Sequence, residues 1–571
     1  MSESDKTKVA MTAGSYGSLI IGAALIVLGL TAYVRVLHAG FIWDDDAYVT
    51  ANQTLRSVEG LAEIWSKPGA TPQYYPMVHS TFWLEYQLWG DSPRGYHVVN
   101  VFLHIATSLL LGKFLEKLKL NIAWPAAFLF ALHPIQVESV AWITERKNAL
   151  SGFFYVLCAI AVMEWRFPNS EPECQQEAQQ SGRNVRFYWL AFVFFILALL
   201  SKTTTCVLPA AAAVVIWWKT GRVTLRDCRA LSPFFVVGVS LGLMTAWMEK
   251  WRVGAVGEEF SLTVIEKFLV STHALCFYAW KAILPRQLTF IYPRWDFKTP
   301  DIPDFLAPAL CILIVFVLLY FLRKGKRGPF AMGALYAGTL FPALGFFNVY
   351  PMRYSFVADH FSYLAMMPLL TGLTWIVLVP GMDWIRSFSI GLGSRTSAKP
   401  IETKYLRGLY FPTCLLIGII CVPLTMMQTG MYSDLETLWR TTLQRNPEAW
   451  MAHHNLGILL EQNGKTQQAL VHYMEAFSLN PRHVFAMNNA GLLHVKAGNF
   501  PDAERLFRKA IDCNPDFDLA HNNLGIALVR QGRLPEAIAE FDKALKITPN
   551  YTNAQSNLAA VQNAVSRQPQ P

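Results

Sequence analysis

Runs of about 20 apolar residues, the length a helix needs to cross a bilayer, recur through the first three quarters of the chain. Eleven crossings are predicted, near residues 17–37, 97–117, 122–133, 149–165, 187–201, 203–218, 232–248, 304–322, 330–348, 361–379 and 409–428. A twelfth apolar stretch, 262–284, is interrupted by Glu266, Lys267, His273 and Lys281, which suits an interfacial or re-entrant helix better than a crossing. Basic loops mark one face as cytoplasmic: Lys113, Lys117 and Lys119, then Arg166 to Arg186, Lys219 to Arg229, Arg323 to Arg327, and Arg386 to Arg407. An odd number of crossings satisfies all of them. The opposite face then holds the loop after the first span, His133 to Asn148, Gly254 to Phe260, Leu288 to Pro303, Tyr350 to His360 and everything after Met431. The short polar amino terminus, Met1 to Tyr16, is expected to lead into an uncleaved first span.

Beyond residue 430 the pattern changes to a repeat of 34, the period of tetratricopeptide helix pairs. Pro447, Pro481, Pro515 and Pro549 end the units, Gly464, Gly498 and Gly532 make the turns, and Ala469, Ala503 and Ala537 allow close helix packing around Tyr473, Phe507 and Phe541. A half unit, Asp434 to Pro447, precedes three full repeats, and Tyr551 to Val565 supplies a capping helix. The predicted fold is therefore all-α: a polytopic helical bundle over 1–430 with a long first outer loop (38–96), a soluble solenoid over 431–565, and a disordered end at 566–571. Asn455, Asn489, Asn523 and Asn557 also step by 34 along the first helices. Their amides either grip an extended acceptor peptide without reading its sequence or bond neighbouring repeats to one another. The pattern resembles the asparagine ladder of the O-GlcNAc transferase superhelix.

Composition agrees with a membrane location. Of 571 residues, 53% are hydrophobic and only 16% charged. The formal charge of +9 comes from the loops that set topology, so nucleic acid is not an expected partner. None of the nine cysteines forms a CxxC pair, and neither a disulfide framework nor a zinc site is indicated.

Candidate chemistry gathers on the outer face. Asp44, Asp45 and Asp46 adjoin one another just past the first span, where mutual repulsion and desolvation are tolerated only if water, a metal or a reacting proton stabilises them. His97, Asn100 and His104 share one face of the second span, either packing against another polar helix or supporting the aspartate loop. His133 opens the second outer loop, in which Glu138 could approach the aspartates and Arg146 with Lys147 could form a cationic pocket for a lipid phosphate. In the third element, Arg353 offers a planar fork to phosphate or an ion pair to Asp359, and His360 could stabilise a departing oxyanion when protonated. Trp65, Tyr74, Tyr75, Phe82, Trp83, Tyr86 and Trp89 read as anchors of amphipathic segments on the bilayer surface.

The segments Phe41 to Val49, Gly95 to Asn100 and His133 to Trp142, together with the repeat tail, resemble the transmembrane and tetratricopeptide-repeat O-mannosyltransferases and their bacterial relatives. The resemblance spans nearly the whole chain and implies a GT-C glycosyltransferase fold that uses a polyprenyl-phosphate-linked sugar. The family's paired acidic motif falls on Asp44 and Asp45, with Asp46 extra. Asp44 or Asp45 would then take the proton of a Ser or Thr hydroxyl attacking the anomeric carbon with inversion. Arg353, with Arg146 or Lys147, would hold the departing phosphate, and Glu138 would orient the acceptor or help bind a metal. A divalent cation, magnesium or manganese, is left open, since no spacing demands one. The expected partners are polyprenyl phosphate and acceptor polypeptides held by the tail, in a bacterial inner membrane with a periplasmic tail or an endoplasmic reticulum membrane with a luminal one. The alternatives are an enzyme modifying a lipid or glycan, and a non-catalytic membrane-anchored scaffold.

Overall fold

The computed structural model describes residues 19–168, 177–255, 257–392 and 410–566. The amino terminus to Tyr16, residues 169–176 and 393–409 of two basic loops, and residues 567–571 of the carboxy-terminal end lie outside the described residues. Among the described residues the chain is helical, with no strand. It divides into two compact units, Met1–Thr437 and Leu438–Pro571.

The first unit is built from α1 (Leu19–Ala32), α2 (Val58–Ser66), α3 (Pro76–Trp89), α4 (Pro93–Lys117), α5 (Ala123–Leu132), the short α6 (Val137–Ala141), α7 (Arg146–Arg166) and α8 (Glu177–Ser201). It continues with α9 (Leu208–Thr220), α10 (Leu225–Met248), α11 (Val264–Ile283), α12 (Leu306–Arg323), α13 (Arg327–Leu340), α14 (Tyr363–Leu392) and α15 (Tyr410–Thr429). Six segments among the described residues are long and apolar enough to cross a bilayer: Pro93–Lys117, Ile143–Arg166, Leu225–Val253, Ile302–Arg323, Asp359–Val379 and Phe411–Tyr432. α1, α5 and residues Val185–Ser201 are shorter apolar helices. Ile302–Arg323 hides only 6% of its most apolar window inside the protein, leaving Leu310, Leu313 and Phe316 open. A stripe this apolar is stable only against hydrocarbon. The chain is an integral membrane protein.

Several predicted boundaries shift for local reasons. The run at 330–348 is helical only to Leu340, where Phe341-Pro342-Ala343 tightens into a 3-10 turn. In 203–218 the helix starts at Leu208, after a 3-10 turn over Thr203–Val207. Residues 262–284 do form a helix of 20 residues, because Glu266 caps its start: Thr263 Oγ1 accepts from the Glu266 amide at 3.2 Å, and Glu266 accepts from the Thr263 amide at 2.7 Å.

The first outer loop is not a set of surface segments. α2 and α3 enclose a core with α4 and α7 in which Tyr75, Phe82 and Tyr96 are buried beside Val49, Ile64 and Ala149. Of the predicted anchors, Trp65 is 43% exposed, whereas Phe82 is fully enclosed. This packed loop domain lies against the amino-terminal ends of α4 and α7.

The second unit pairs Trp450–Gln462 with Thr466–Leu479, Val484–Lys496 with Phe500–Cys513 and Asp518–Arg530 with Leu534–Ile547, and closes on Thr552–Ser566. Gly464, Gly498 and Gly532 turn between paired helices at φ of 72°, 80° and 77°, the left-handed region that a Cβ would strain. Tyr473, Phe507 and Phe541 are buried as the period requires. Leu435–Arg445 forms the predicted half-repeat helix, and the unit boundary falls within it.

Candidate active site

Trp43 turns the chain into the site. Its φ of 49° is a conformation bulky residues rarely hold, and its ring lies edge-on to Phe290 at 6.3 Å. The aspartates that follow have three different environments. Asp45 is wholly buried: Oδ1 accepts from the Thr144 amide at 2.8 Å and from its hydroxyl at 2.7 Å, and Oδ2 accepts from the Ile42 amide at 2.9 Å. It is a strut between the first and second outer loops, and burial pushes its carboxyl up to about 7 against those bonds. Asp46 is exposed and accepts from the Ala47 amide at 2.7 Å. Asp44 is half-buried, and its Oδ1 has no hydrogen-bond donor. Burial pushes the Asp44 carboxyl up to about 6; Lys147 draws it down, and the charges of Glu145 and Asp46 raise it.

Lys147 anchors a cluster assembled from four segments. Its Nζ lies 2.9 Å from Glu145 Oε1, and its charge sits over the rings of Tyr48 (5.5 Å) and Trp142 (5.8 Å). Lys202, between α8 and α9, brings Nζ within 3.5 Å of Glu145 Oε2 and donates to Asn148 Oδ1 at 2.7 Å. Asn148 Nδ2 donates to Glu145 Oε2 at 2.6 Å and to the His360 carbonyl at 2.8 Å. His360 places Nδ1 3.2 Å from Glu138 Oε1 and Nε2 3.9 Å from Glu145 Oε1, while its amide donates to Glu138 Oε2 at 3.0 Å. Two carboxylates and three basic side chains thus interlock, so burial is offset by pairing.

The structure brings Asp44, Lys147, Glu138 and His360 into one region and sends other candidates elsewhere. Glu138 packs on His360 and not on the aspartates. Arg146, expected to clamp phosphate, is 0% exposed and forks onto Glu85, with Nη2 donating to Oε2 at 3.1 Å; Nε is bonded to Asn100 Oδ1, and Nη2 also reaches the Tyr96 carbonyl at 2.9 Å. The buried guanidinium takes the acid that α3 supplies, which sequence spacing did not reveal. Arg353 pairs at 2.6 Å with Glu259, not Asp359, and cannot be counted a free clamp; Asp359 Oδ1 accepts instead from Tyr292 Oη at 2.8 Å. Arg353 reaches the cluster through a relay in which Nη1 meets Tyr350 Oη at 3.4 Å, the Tyr350 amide donates to Glu249, Glu249 accepts from Gln73, and Gln73 accepts from Tyr48 Oη at 2.8 Å.

The polar stripe of α4 is buried and supports the loops. His97 lies against the backbone of Ala39 and Gly40, and Asn100 Nδ2 donates to the Trp142 carbonyl at 3.2 Å. His104 bridges Tyr363 Oη (2.9 Å) and the Ala131 carbonyl (3.0 Å). His133 lies outside the cluster, with Nε2 at 3.1 Å from the Ala282 carbonyl; burial takes its imidazole down to about 4.

Glu145, Asn148 and Lys202 were not singled out from the sequence. Lys202 carried a usable signal, since a lysine flanked on both sides by apolar runs is costly unless partnered. Among the described residues no three His, Cys, Asp or Glu side chains converge as metal ligands.

In the solenoid, Asn523 Nδ2 donates to Asn488 at 2.8 Å and Asn557 Nδ2 to Asn522 at 2.9 Å, each across one repeat. Asn455 donates within its own helix, to the Met451 carbonyl at 2.8 Å, and Asn489 accepts from Asn488 at 3.4 Å. One amide donor at Asn523 and one at Asn557 are thus spent holding repeats together.

Tetratricopeptide-repeat families match residues 452–483 and 488–552. A Caenorhabditis elegans protein O-mannosyl-transferase is 25% identical over 484 residues, 80% of this chain and 62% of that protein. Protein O-mannosyl-transferase tmtc2 of Xenopus laevis is 32% identical over 148 residues, 24% of this chain and 18% of that protein. Drosophila melanogaster Tmtc1 is 32% identical over 151 residues, 24% and 18%. The chain spans less than two thirds of the length of these relatives. Over most of its length the chain is thus similar to a protein O-mannosyl-transferase, and its carboxy-terminal unit carries tetratricopeptide repeats.

Proposed function

We propose that this chain moves a hexose, mannose by analogy with its relatives, from a polyprenyl-phosphate donor to Ser or Thr hydroxyls of exported polypeptides. The observation that carries the proposal is Asp44, a half-buried carboxyl held near 6 beside Lys147. The acceptor hydroxyl oxygen attacks C1 of the sugar, its proton passes to the Asp44 carboxylate, and the bond from C1 to the phosphate oxygen breaks, its electron pair leaving with the phosphate. A carboxyl titrating near 6 is mostly ionised at neutral pH yet basic enough to accept that proton. Lys147, with Lys202 alongside, supplies positive charge where the departing phosphate gains negative charge, and Glu145 with Asn148 holds the two ammonium groups in place. Asp45 positions Asp44 without sharing its chemistry.

Glu145 is already paired with Lys147 and Lys202, and Glu138 is taken up by the ring and amide of His360, a poor setting for a divalent cation, so the proposed steps pass through no metal. The membrane unit would sit in a bacterial inner membrane with Asp44 on the periplasmic side, where exported chains emerge. The solenoid would bind acceptor polypeptide. The amide bonds between repeats favour a second possibility, a lipid or glycan acceptor with the solenoid recruiting partners.

The test is transfer of labelled mannose from polyprenyl phosphate by the full chain in lipid nanodiscs, offered Ser/Thr peptides or lipid acceptors, with mass spectrometry of exported proteins from cells with and without the gene. Peptide labelling that vanishes in Asp44→Asn supports the proposal. Lipid labelling alone selects the second possibility, and unchanged transfer by Asp44→Asn removes Asp44 from the chemistry.

A further inference from the structure

The membrane unit holds a cavity toward the end remote from Asp44. Leu115 of α4, Val162 of α7, Ala212 and Val215 of α9, Leu335 of α13 and Met367 of α14 line it; it leaves about 760 Å³ free of protein atoms when the space open to the surroundings is counted, and about 80 Å³ for the centres of water-sized spheres. On α4, Asn100 serves the outer loops while Leu111 to Leu118 reach the cavity, roughly 20 Å further along at the helical rise. The lining hydroxyls of Thr339 and Thr371 donate to carbonyls of their own helices, at 2.7 Å each, so the walls offer little to water. Such a space suits hydrocarbon.

Four cations rim the same end. Lys219 donates to the Leu118 carbonyl at 2.9 Å, beside Lys119; burial and the Lys119 charge both lower the Lys219 ammonium. α9 then ends on Gly221 at φ of 82°, where an added Cβ would lie 2.4 Å from Arg327 Nη2, so the glycine lets Arg327 close over the turn that leads to Arg222. The nearby acids are engaged by other cations: Glu116 by Lys113, Glu164 by Lys117 and Asp227 by Arg166. Among the described residues no carboxylate forms an ion pair with Lys119, Lys219, Arg222 or Arg327. Like charges held together without a counter-ion favour an anion between them. Trp217 and Trp218 flank the rim, as tryptophans do at headgroup depth.

We propose that this end of the membrane unit binds one anionic phospholipid, its phosphate against Lys119, Lys219, Arg222 and Arg327 and an acyl chain in the cavity. The site is separate from the proposed donor site, since a reacting sugar phosphate must lie beside Asp44. It does not depend on the transferase activity.

Native mass spectrometry of the full chain, titrated separately with phosphatidylglycerol, phosphatidylcholine and polyprenyl phosphate, tests it. One equivalent of phosphatidylglycerol should be retained about tenfold more tightly than phosphatidylcholine. The exposed pair Lys119→Ala/Arg222→Ala should lower that retention about tenfold, and Lys119→Arg/Arg222→Lys should restore it. Ala212→Trp should block the chain and remove retention with the rim intact; if that variant does not fold, the rim pair decides. Equal retention of the two phospholipids, retention unmoved by the rim pair, or retention of polyprenyl phosphate alone would each overturn the proposal.

Discussion

Replacing Lys147 by Gln should move the pH dependence of transfer, because Lys147 is the strongest charge acting on Asp44 and holds the carboxyl near 6 against burial. An opposite charge a few ångströms away lowers a carboxyl by about 1–3 units, and at a half-buried site that water can refill the lower end applies, about one unit or 1.4 kcal/mol. Removing that charge raises Asp44 toward about 7. The sign follows: Asp44 works as a base only when ionised, so activity is lost as pH falls through its folded value, and the variant loses it sooner. At pH 7 the ionised fraction drops from about nine tenths to about one half, a twofold loss, and near pH 5 the deficit grows to about tenfold. Loss of phosphate stabilisation by Lys147 adds a factor that does not vary with pH over this range. The assay is kcat/KM from pH 5 to 8 with the full chain in nanodiscs, comparing the acid limbs of wild type and variant. A ratio of rates that stays constant across the range would show that Lys147 does not tune the base, and would refute the assignment of Asp44.

Other variants separate struts from chemistry. Asp45→Asn places an amide where two backbone donors and a hydroxyl now point, and should cost about 1–3 kcal/mol in detergent melting experiments; an unchanged melting temperature alongside lost transfer would instead make Asp45 the base. Arg146→Met strands Glu85 and should cost about 3–5 kcal/mol, most of it recovered in Glu85→Met/Arg146→Met; a melting temperature insensitive to the single change would mean that the pair bears no stability. Asn523→Ala removes a bond between repeats and should speed amide hydrogen exchange in the surrounding helices of the full chain by an amount matching about 0.5–1.5 kcal/mol. Unchanged exchange with weakened peptide binding would return Asn523 to the acceptor groove.

What could be read in the chain was what is periodic. Residues 34 apart must repeat their environment in a stacked solenoid, so the helix pairs, the glycine turns and the buried Tyr473, Phe507 and Phe541 followed from spacing. Apolar runs likewise announced the membrane helices, because a bilayer imposes both length and composition. Pairing between charges far apart in sequence obeys no such period. Arg146 and Lys147 are neighbours with equal charge, yet the turn into α7 sends one to Glu85 and leaves the other with Glu145 and Asp44, a choice made by the packing of α3. Three adjacent aspartates differ for the same reason: the backbone amides of Thr144 and Ile42 both donate to Asp45. The sequence by itself determined the helices and the repeat, since these depend on local composition and period. Only the tertiary structure decided which charge meets which, because Coulomb and hydrogen-bond energies act over a few ångströms in space whatever the separation along the chain.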